Sequence, residues 1–294
     1  MKFILKIVKI LRLITNLPFK VLILVGDFYS IFLKILDKRN HDSFWPETMQ
    51  KSIDKNTSKE IEIMQNPKKI IKFYCPTQIS SYRAKTFFTK EPETLKWMDE
   101  FGSNKKCLFD IGANAGIYSV YYAKKYDSKV YAFEPSYKNL NLLSQNIKLN
   151  GLEKNICLIP NPISNKFYVS DFVQFDPSAG SASATFNGAQ EKGEILQKSK
   201  SHEKQKIFNY KTLGLSIDYL VEHELIRPPE LIKIDVDGNE LDIINGLNKT
   251  ISNVNELTIL IETREKTHQH IEEKFVNLGL QKINQIKDNS IWRK

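Results

Sequence analysis

Cysteine is scarce: Cys75, Cys107 and Cys157 are the only three in 294 residues, far apart, with no C-x-x-C spacing and no histidine nearby. That excludes a disulfide framework and a thiolate zinc site, and it sets a reducing, cytoplasmic compartment as the expectation. Glycine and proline are also few, at 12 and 11, which excludes a collagenous or low-complexity chain; 41% hydrophobic residues exclude a disordered one. No uncharged apolar run reaches the roughly eighteen residues of a spanning helix. A secretory signal, with its clean apolar centre and small-residue cleavage site, is not expected either.

Acidic residues are the minority, and the imbalance is local. The formal net charge is +9. Residues 1–40 contribute +6 of it, from Lys2, Lys6, Lys9, Arg12, Lys20, Lys34, Lys38 and Arg39 against Asp27 and Asp37, and the remaining 254 residues contribute only +3. The body is therefore nearly neutral, and with no basic patch beside the motifs below, nucleic acid is not an expected partner. In residues 1–36, Lys6, Lys9 and Arg12 recur at helical spacing along an otherwise apolar helix that Pro18 ends. The segment reads as a helical extension seated on an anionic membrane surface, the inner face for a cytoplasmic protein; packing on the body or on a second subunit is the other reading. Residues 41–68 are polar and read as a linker.

From residue 69 to 294 the pattern is that of an α/β domain. Cys107 onward alternates short apolar strands with helical stretches, the sequence form of a mostly parallel sheet with helices on both faces. Ser136 is placed to cap a helix that Asn150 and Gly151 end. Residues 163–211 break the alternation with a small-residue patch, SAGSASATF, and a polar tract read as a mobile loop, together an insertion.

Two segments carry chemistry. Asp110-Ile-Gly-Ala-Asn-Ala-Gly116 follows a strand and opens a helix, so it is a nucleotide-type loop whose turn needs glycine and exposes backbone N–H groups to a ligand. A dinucleotide fingerprint beginning at Gly112 would need glycine at Asn114 and Ile117 and lacks both, which disfavours NAD and FAD. Glu134 ends the next strand, twenty-two residues beyond Gly112, the interval at which an acid takes ribose hydroxyls. In Lys233-Ile-Asp-Val-Asp-Gly-Asn-Glu240, strand alternation sets Lys233, Asp235 and Asp237 on one side at the carboxyl edge of the sheet. Asp235 and Asp237 are candidates to hold or deprotonate a hydroxyl, with like-charge crowding raising one of them; alternatively, Asp235 orders the loop and Asp237 caps the next helix. No further oxygen-rich cluster accompanies them, so no metal is expected. Glu262 and Arg264 follow a later strand, as substrate contacts or as a strand-end ion pair.

Taken in order, RAKTFFTKEPETLKWMDEF, FDIGANAGIYSVYYAKK, VYAFEPSYKNLNLLSQNIKLNGL, SIDYL and LIKIDVDGNELDIINGL resemble the FkbM family of S-adenosylmethionine-dependent methyltransferases over residues 83–262. The resemblance implies a Rossmann-like class I methyltransferase fold, with Asp110, Gly112, Asn114 and Gly116 around the methionine end of the cofactor and Glu134 on its ribose. It also implies O-methylation of a small-molecule, glycan or lipid-linked hydroxyl. Two positions depart from the family pattern: Asp237 stands where Glu is usual, and Asn239 where Ala is common. A Rossmann-type oxidoreductase and a membrane-tethered, non-catalytic binding protein are the alternative expectations.

Overall fold

A computed structural model describes residues 58–65, 68–103, 106–175, 178–182, 184–187, 208–263 and 265–294, with Val21 and Leu24 besides. The chain divides into a unit of residues 1–57 and a unit of residues 58–294, and the strands and sheets belong to the second. The expected helical extension over 1–40 and the polar tract at 188–207 lie outside the described residues.

The unit opens with an antiparallel hairpin of β1 (Ser58–Gln65) and β2 (Lys68–Tyr74). This corrects the linker reading at its end, because 58–65 is paired strand. Helices α1 (Gln78–Lys85) and α2 (Pro92–Phe101) follow; Thr77 closes a capping box on α1, and Pro92 opens α2, where a missing N–H is harmless. Then come β3 (Leu108–Ile111), α3 (Ile117–Tyr126), β4 (Val130–Phe133), α4 (Tyr137–Asn150) and β5 (Ile156–Ile159). After the insertion the order is α5 (Ile217–Glu222), β9 (Leu231–Ile234), α6 (Glu240–Asn245), α7 (Asn248–Asn253), β10 (Thr258–Glu262), α8 (Glu265–Asn277), β11 (Gln281–Ile286) and β12 (Asn289–Arg293).

Seven strands form one sheet in the order β11-β12-β10-β9-β3-β4-β5. The five from β10 to β5 are parallel, β12 runs antiparallel to β10, and β11 at the far edge runs antiparallel to β12. Alternation divides the core. Leu108, Val130, Leu231 and Leu260 face one layer with Phe73, Trp97 and Leu143, while Phe109, Phe133, Ile232 and Ile259 face the other with Leu247, Phe275 and Trp292. The first layer holds one polar pair: Asp110 and Lys233 are cross-strand neighbours in the β3–β9 register, 0% and 2% exposed.

The insertion is more ordered than its composition implies. It contains β6 (Tyr168–Gln174), β7 (Ala184–Phe186) and β8 (Phe208–Gly214), a three-stranded antiparallel sheet with β6 central. Chain order runs outward from β3 through β4 to β5 and then resumes at β9 on β3's other side. The carboxyl ends of β3 and β9 therefore flank the topological switch point, where open α/β sheets leave a crevice for ligands.

Candidate active site

The loop after β3 turns three times through the left-handed region, at Gly112 (φ +81°), Asn114 (+52°) and Gly116 (+71°). Gly112 is required sterically as well, since a Cβ there would sit 2.0 Å from the Asp235 carbonyl oxygen. A Cβ at Gly116 would lie 2.1 Å from Leu143 Cδ1. The expectation that the loop offers its N–H groups to a ligand is corrected. Gly112 and Ala113 both donate to the Phe133 carbonyl at 3.0 and 3.1 Å, and Gly116 donates to that of Ala113. Asn114 N–H donates to Glu134 Oε2 at 2.7 Å, and Ala115 N–H to Asn114 Oδ1 at 2.8 Å. A pyrophosphate would find these five donors taken.

Among the predicted cofactor residues, Gly112, Asn114 and Glu134 line the cleft at the switch point, together with Asn139, Asp235, Asp237 and Glu262. Asp110 and Gly116 do not. Asp110 lies beneath the loop, accepting from Ser119 Oγ at 2.6 Å with Lys233 Nζ 3.8 Å from its other oxygen, and Gly116 packs on Leu143. Alternation explains Asp110: it faces the first core layer on a strand buried on both sides, while its neighbours Phe109 and Ile111 face the second. Glu134 is 5% exposed, and burial pushes it up to about 7 despite the Ser136 and Asn114 N–H groups donating to it. Ser136 occupies the first cap position of α4, but its hydroxyl accepts from Gln174 Nε2 at 2.6 Å.

At the end of β9, Lys233 Nζ donates to Asp235 Oδ2 at 2.8 Å and lies 5.2 Å from the centre of the Tyr118 ring. Burial alone would pull Lys233 down, but Asp235 and Asp110 hold it up at about 12. Burial would raise Asp235, and the Lys233 ammonium outweighs it, keeping this carboxyl below its usual range. The expected like-charge effect falls on Glu262, which desolvation at the cleft wall and the Asp235 carboxylate within hydrogen-bonding reach push up to about 7. Glu91, ahead of α2, accepts from Tyr118 at 2.7 Å and pairs with Lys90; burial opposes these contacts, yet its carboxyl is lowered. Arg264 lies outside the described residues.

Asp237 and Asn239 grip the insertion. Asp237 Oδ2 accepts from Ala184 N–H at 3.2 Å. Asn239 Oδ1 accepts from Thr185 Oγ1 and Phe186 N–H, and its Nδ2 donates to the Phe186 carbonyl at 2.7 Å, so its amide acts as a strand partner for β7. Alanine there would make none of these bonds. Asn139 is a cleft residue that sequence reading missed, because it looks like a helix-surface amide; Arg83, and Glu91 of the KEPET stretch, read in sequence as a lid or as docking for the entering helix, also line the cleft.

Residues 110–281 match the family described as Methyltransferase FkbM domain. The chain belongs to the FkbM methyltransferase family. Hexuronic acid methyltransferase AglP of Haloferax volcanii is 24% identical over 165 residues, 56% of this chain and 59% of that protein, so the chain spans less than two thirds of this relative. The solved methyltransferase FkbM from Methylobacillus flagellatus KT superposes with a TM-score of 0.44 at 14% identity, covering 65% of this chain and 44% of the other. TrmK of M. capricolum, solved with the cofactor product S-adenosylhomocysteine, gives 0.37 at 14% identity, covering 68% and 65%.

The FkbM family uses S-adenosylmethionine, and the cleft fits that molecule. It has no phosphate, so the occupied loop donors are no obstacle. Its sulfonium and ammonium cations suit a lining with five carboxylates, on Glu91, Glu134, Asp235, Asp237 and Glu262, against the cations of Arg83 and Lys90.

Proposed function

We propose that this chain is an O-methyltransferase acting on a hydroxyl of a small-molecule or glycan-type acceptor, a sugar ring in the first instance. When bound, S-adenosylmethionine supplies the methyl group from its sulfonium for an in-line displacement by the acceptor oxygen. Glu134 is the candidate for the ribose hydroxyls, with Gly112 and Asn114 forming the adjoining wall. Asp235, held ionised by Lys233, orients the acceptor hydroxyl, and Glu262 takes its proton. The observation that carries this reading is the placing of Asp235, ion-paired to Lys233 at 2.8 Å, and Glu262 on the wall of one switch-point cleft, with Asp235 below its usual range and Glu262 raised to about 7. Asp237 acts here by holding the insertion against the cleft, and Asp110 acts through Lys233. The sugar-type acceptor is supported by the relative named as a hexuronic acid methyltransferase.

Calorimetric titration with S-adenosylmethionine, followed by transfer of labelled methyl to a panel of sugars and uronic acids, tests the proposal. Binding with transfer to a hydroxyl is the expected result. No cofactor binding, or transfer only to nitrogen or carbon, overturns it. A nicotinamide oxidoreductase is disfavoured by the occupied loop donors, and a non-catalytic binding role by the carboxylate pair.

Among the described residues no helix is long and apolar enough to cross a membrane. The basic, apolar character of residues 1–36 supports seating on the inner membrane surface. Flotation of the full chain with anionic liposomes, compared with a chain beginning at Ser58, checks this; equal flotation removes the anchor.

A further inference from the structure

Helix α4 carries two asparagines one turn apart, Asn146 and Asn150, 1% and 8% exposed, on the face turned towards the hairpin. Buried amides of this kind require partners on both ends. Asn150 Oδ1 accepts from Lys72 N–H at 2.8 Å, and its Nδ2 donates to the Lys72 carbonyl at 2.8 Å, a peptide-like bond to the free edge of β2. Asn146 Oδ1 accepts from the next outward N–H of that edge, Tyr74, at 2.8 Å. Its Nδ2 turns the other way and donates to the Ala115 carbonyl at 2.7 Å. Ala115 lies between Asn114, which lines the cleft, and the left-handed Gly116. The side chain of Asn146 thus joins the hairpin, which lies outside residues 110–281, to the loop that shapes the cofactor wall.

We propose that Asn146 is a positioning residue for the cofactor loop, and that hairpin β1–β2 is a working part of the cofactor site because its edge orients the amide that holds the Ala115 carbonyl. The inference rests on the S-adenosylmethionine reading above. An aspartate at 146 keeps the acceptor for Tyr74 but loses the donor to Ala115 and sets a negative charge against that carbonyl. An aspartate at 150 makes the same chemical change one turn along, where the contacts are to Lys72 and within α4 and none is to the loop.

The test compares the full chain with Asn146→Asp and Asn150→Asp, titrated with S-adenosylhomocysteine well below their melting temperatures. Asn146→Asp is expected to weaken binding by about tenfold or more, as loss of preorganisation does, and Asn150→Asp to leave it within about twofold at a similar loss of melting temperature. Equal effects of the two variants, or unchanged binding by Asn146→Asp, overturn the proposal and leave the cofactor reading intact. Should Asn146→Asp fail to fold, hydrogen exchange on the unaltered chain decides: slower exchange of the Tyr74 amide on adding S-adenosylhomocysteine supports the coupling, and no change overturns it. Absence of any binding by the unaltered chain overturns both readings.

Discussion

Lys233 donates to Asp235 at 2.8 Å while standing 3.8 Å from Asp110, so one buried cation joins the strand beneath the cofactor loop to the carboxylate at the cleft mouth. Replacing Lys233 by methionine leaves Asp110 sealed in the core without its counter-charge. Breaking a buried pair in this way costs about 3–5 kcal/mol, and part of that is recovered as Asp110 takes up a proton. Urea denaturation at pH 8 and at pH 5 should show the larger loss at pH 8, where the orphaned carboxyl has to ionise. An equal loss at both values would remove the charge argument.

If Glu262 accepts the acceptor's proton, it must be ionised, and its value near 7 places the transition inside the working range. The rate should rise with pH through about 7 and then level. Glu262→Gln should lower turnover by about 10² to 10⁴ and abolish that limb, while Asp235→Asn lowers turnover and leaves cofactor affinity within a few fold. A pH–rate profile of Glu262→Gln that keeps the limb would assign the proton to another group.

Gly112→Ala meets two obstacles: a φ of +81°, and a methyl 2.0 Å from the Asp235 carbonyl oxygen. The conformation alone costs about 1–2 kcal/mol. The clash must also displace the main chain on which Asp235 sits, so stability and S-adenosylhomocysteine affinity should fall together. Thermal unfolding with parallel calorimetry reads both.

Asn239→Ala removes the three hydrogen bonds that seat β7. At about 1 kcal/mol each, the loss is local, because the contacts are confined to the insertion's edge. The Phe186 amide should exchange several-fold faster, with cofactor affinity unchanged and the acceptor KM raised. Unchanged exchange at Phe186 would mean that β7 is held by other contacts.

The parallel sheet was legible because its strands are continuous apolar runs separated by helices with recognisable starts, as in the step from Leu108–Ile111 into Ile117–Tyr126. The cleft was legible where one residue's backbone demands betray it, at Gly112, or where strand-end position does, at Glu134 and Asp235. Strands β1, β6, β7 and β8 were not. Tyr168–Gln174 and Phe208–Gly214 are mixed in polarity and pair with each other across some forty residues, so no local period announces them. The surroundings of Asp110 were not legible for a related reason: the resemblance set it beside the cofactor, whereas the neighbour that meets its carboxylate is Lys233 on another strand. Asn146 and Asn150 show their shared helix face in sequence, but not the strand edge they meet.

The insertion is held by its backbone. Arg83 donates to the Gly180 carbonyl, Asn139 accepts from Gly180 N–H, Asn114 and Asn139 donate to the Ser181 carbonyl, and Asn239 takes both main-chain groups of Phe186. These contacts take main-chain groups, so the side chains of Ser181 and Ala182 are free to vary over a fixed mount, while Thr185, whose hydroxyl donates to Asn239, and the buried Phe186 belong to the mount itself. On the proposed reading, drift within this segment would change the acceptor while the four clamping residues keep the mount in place.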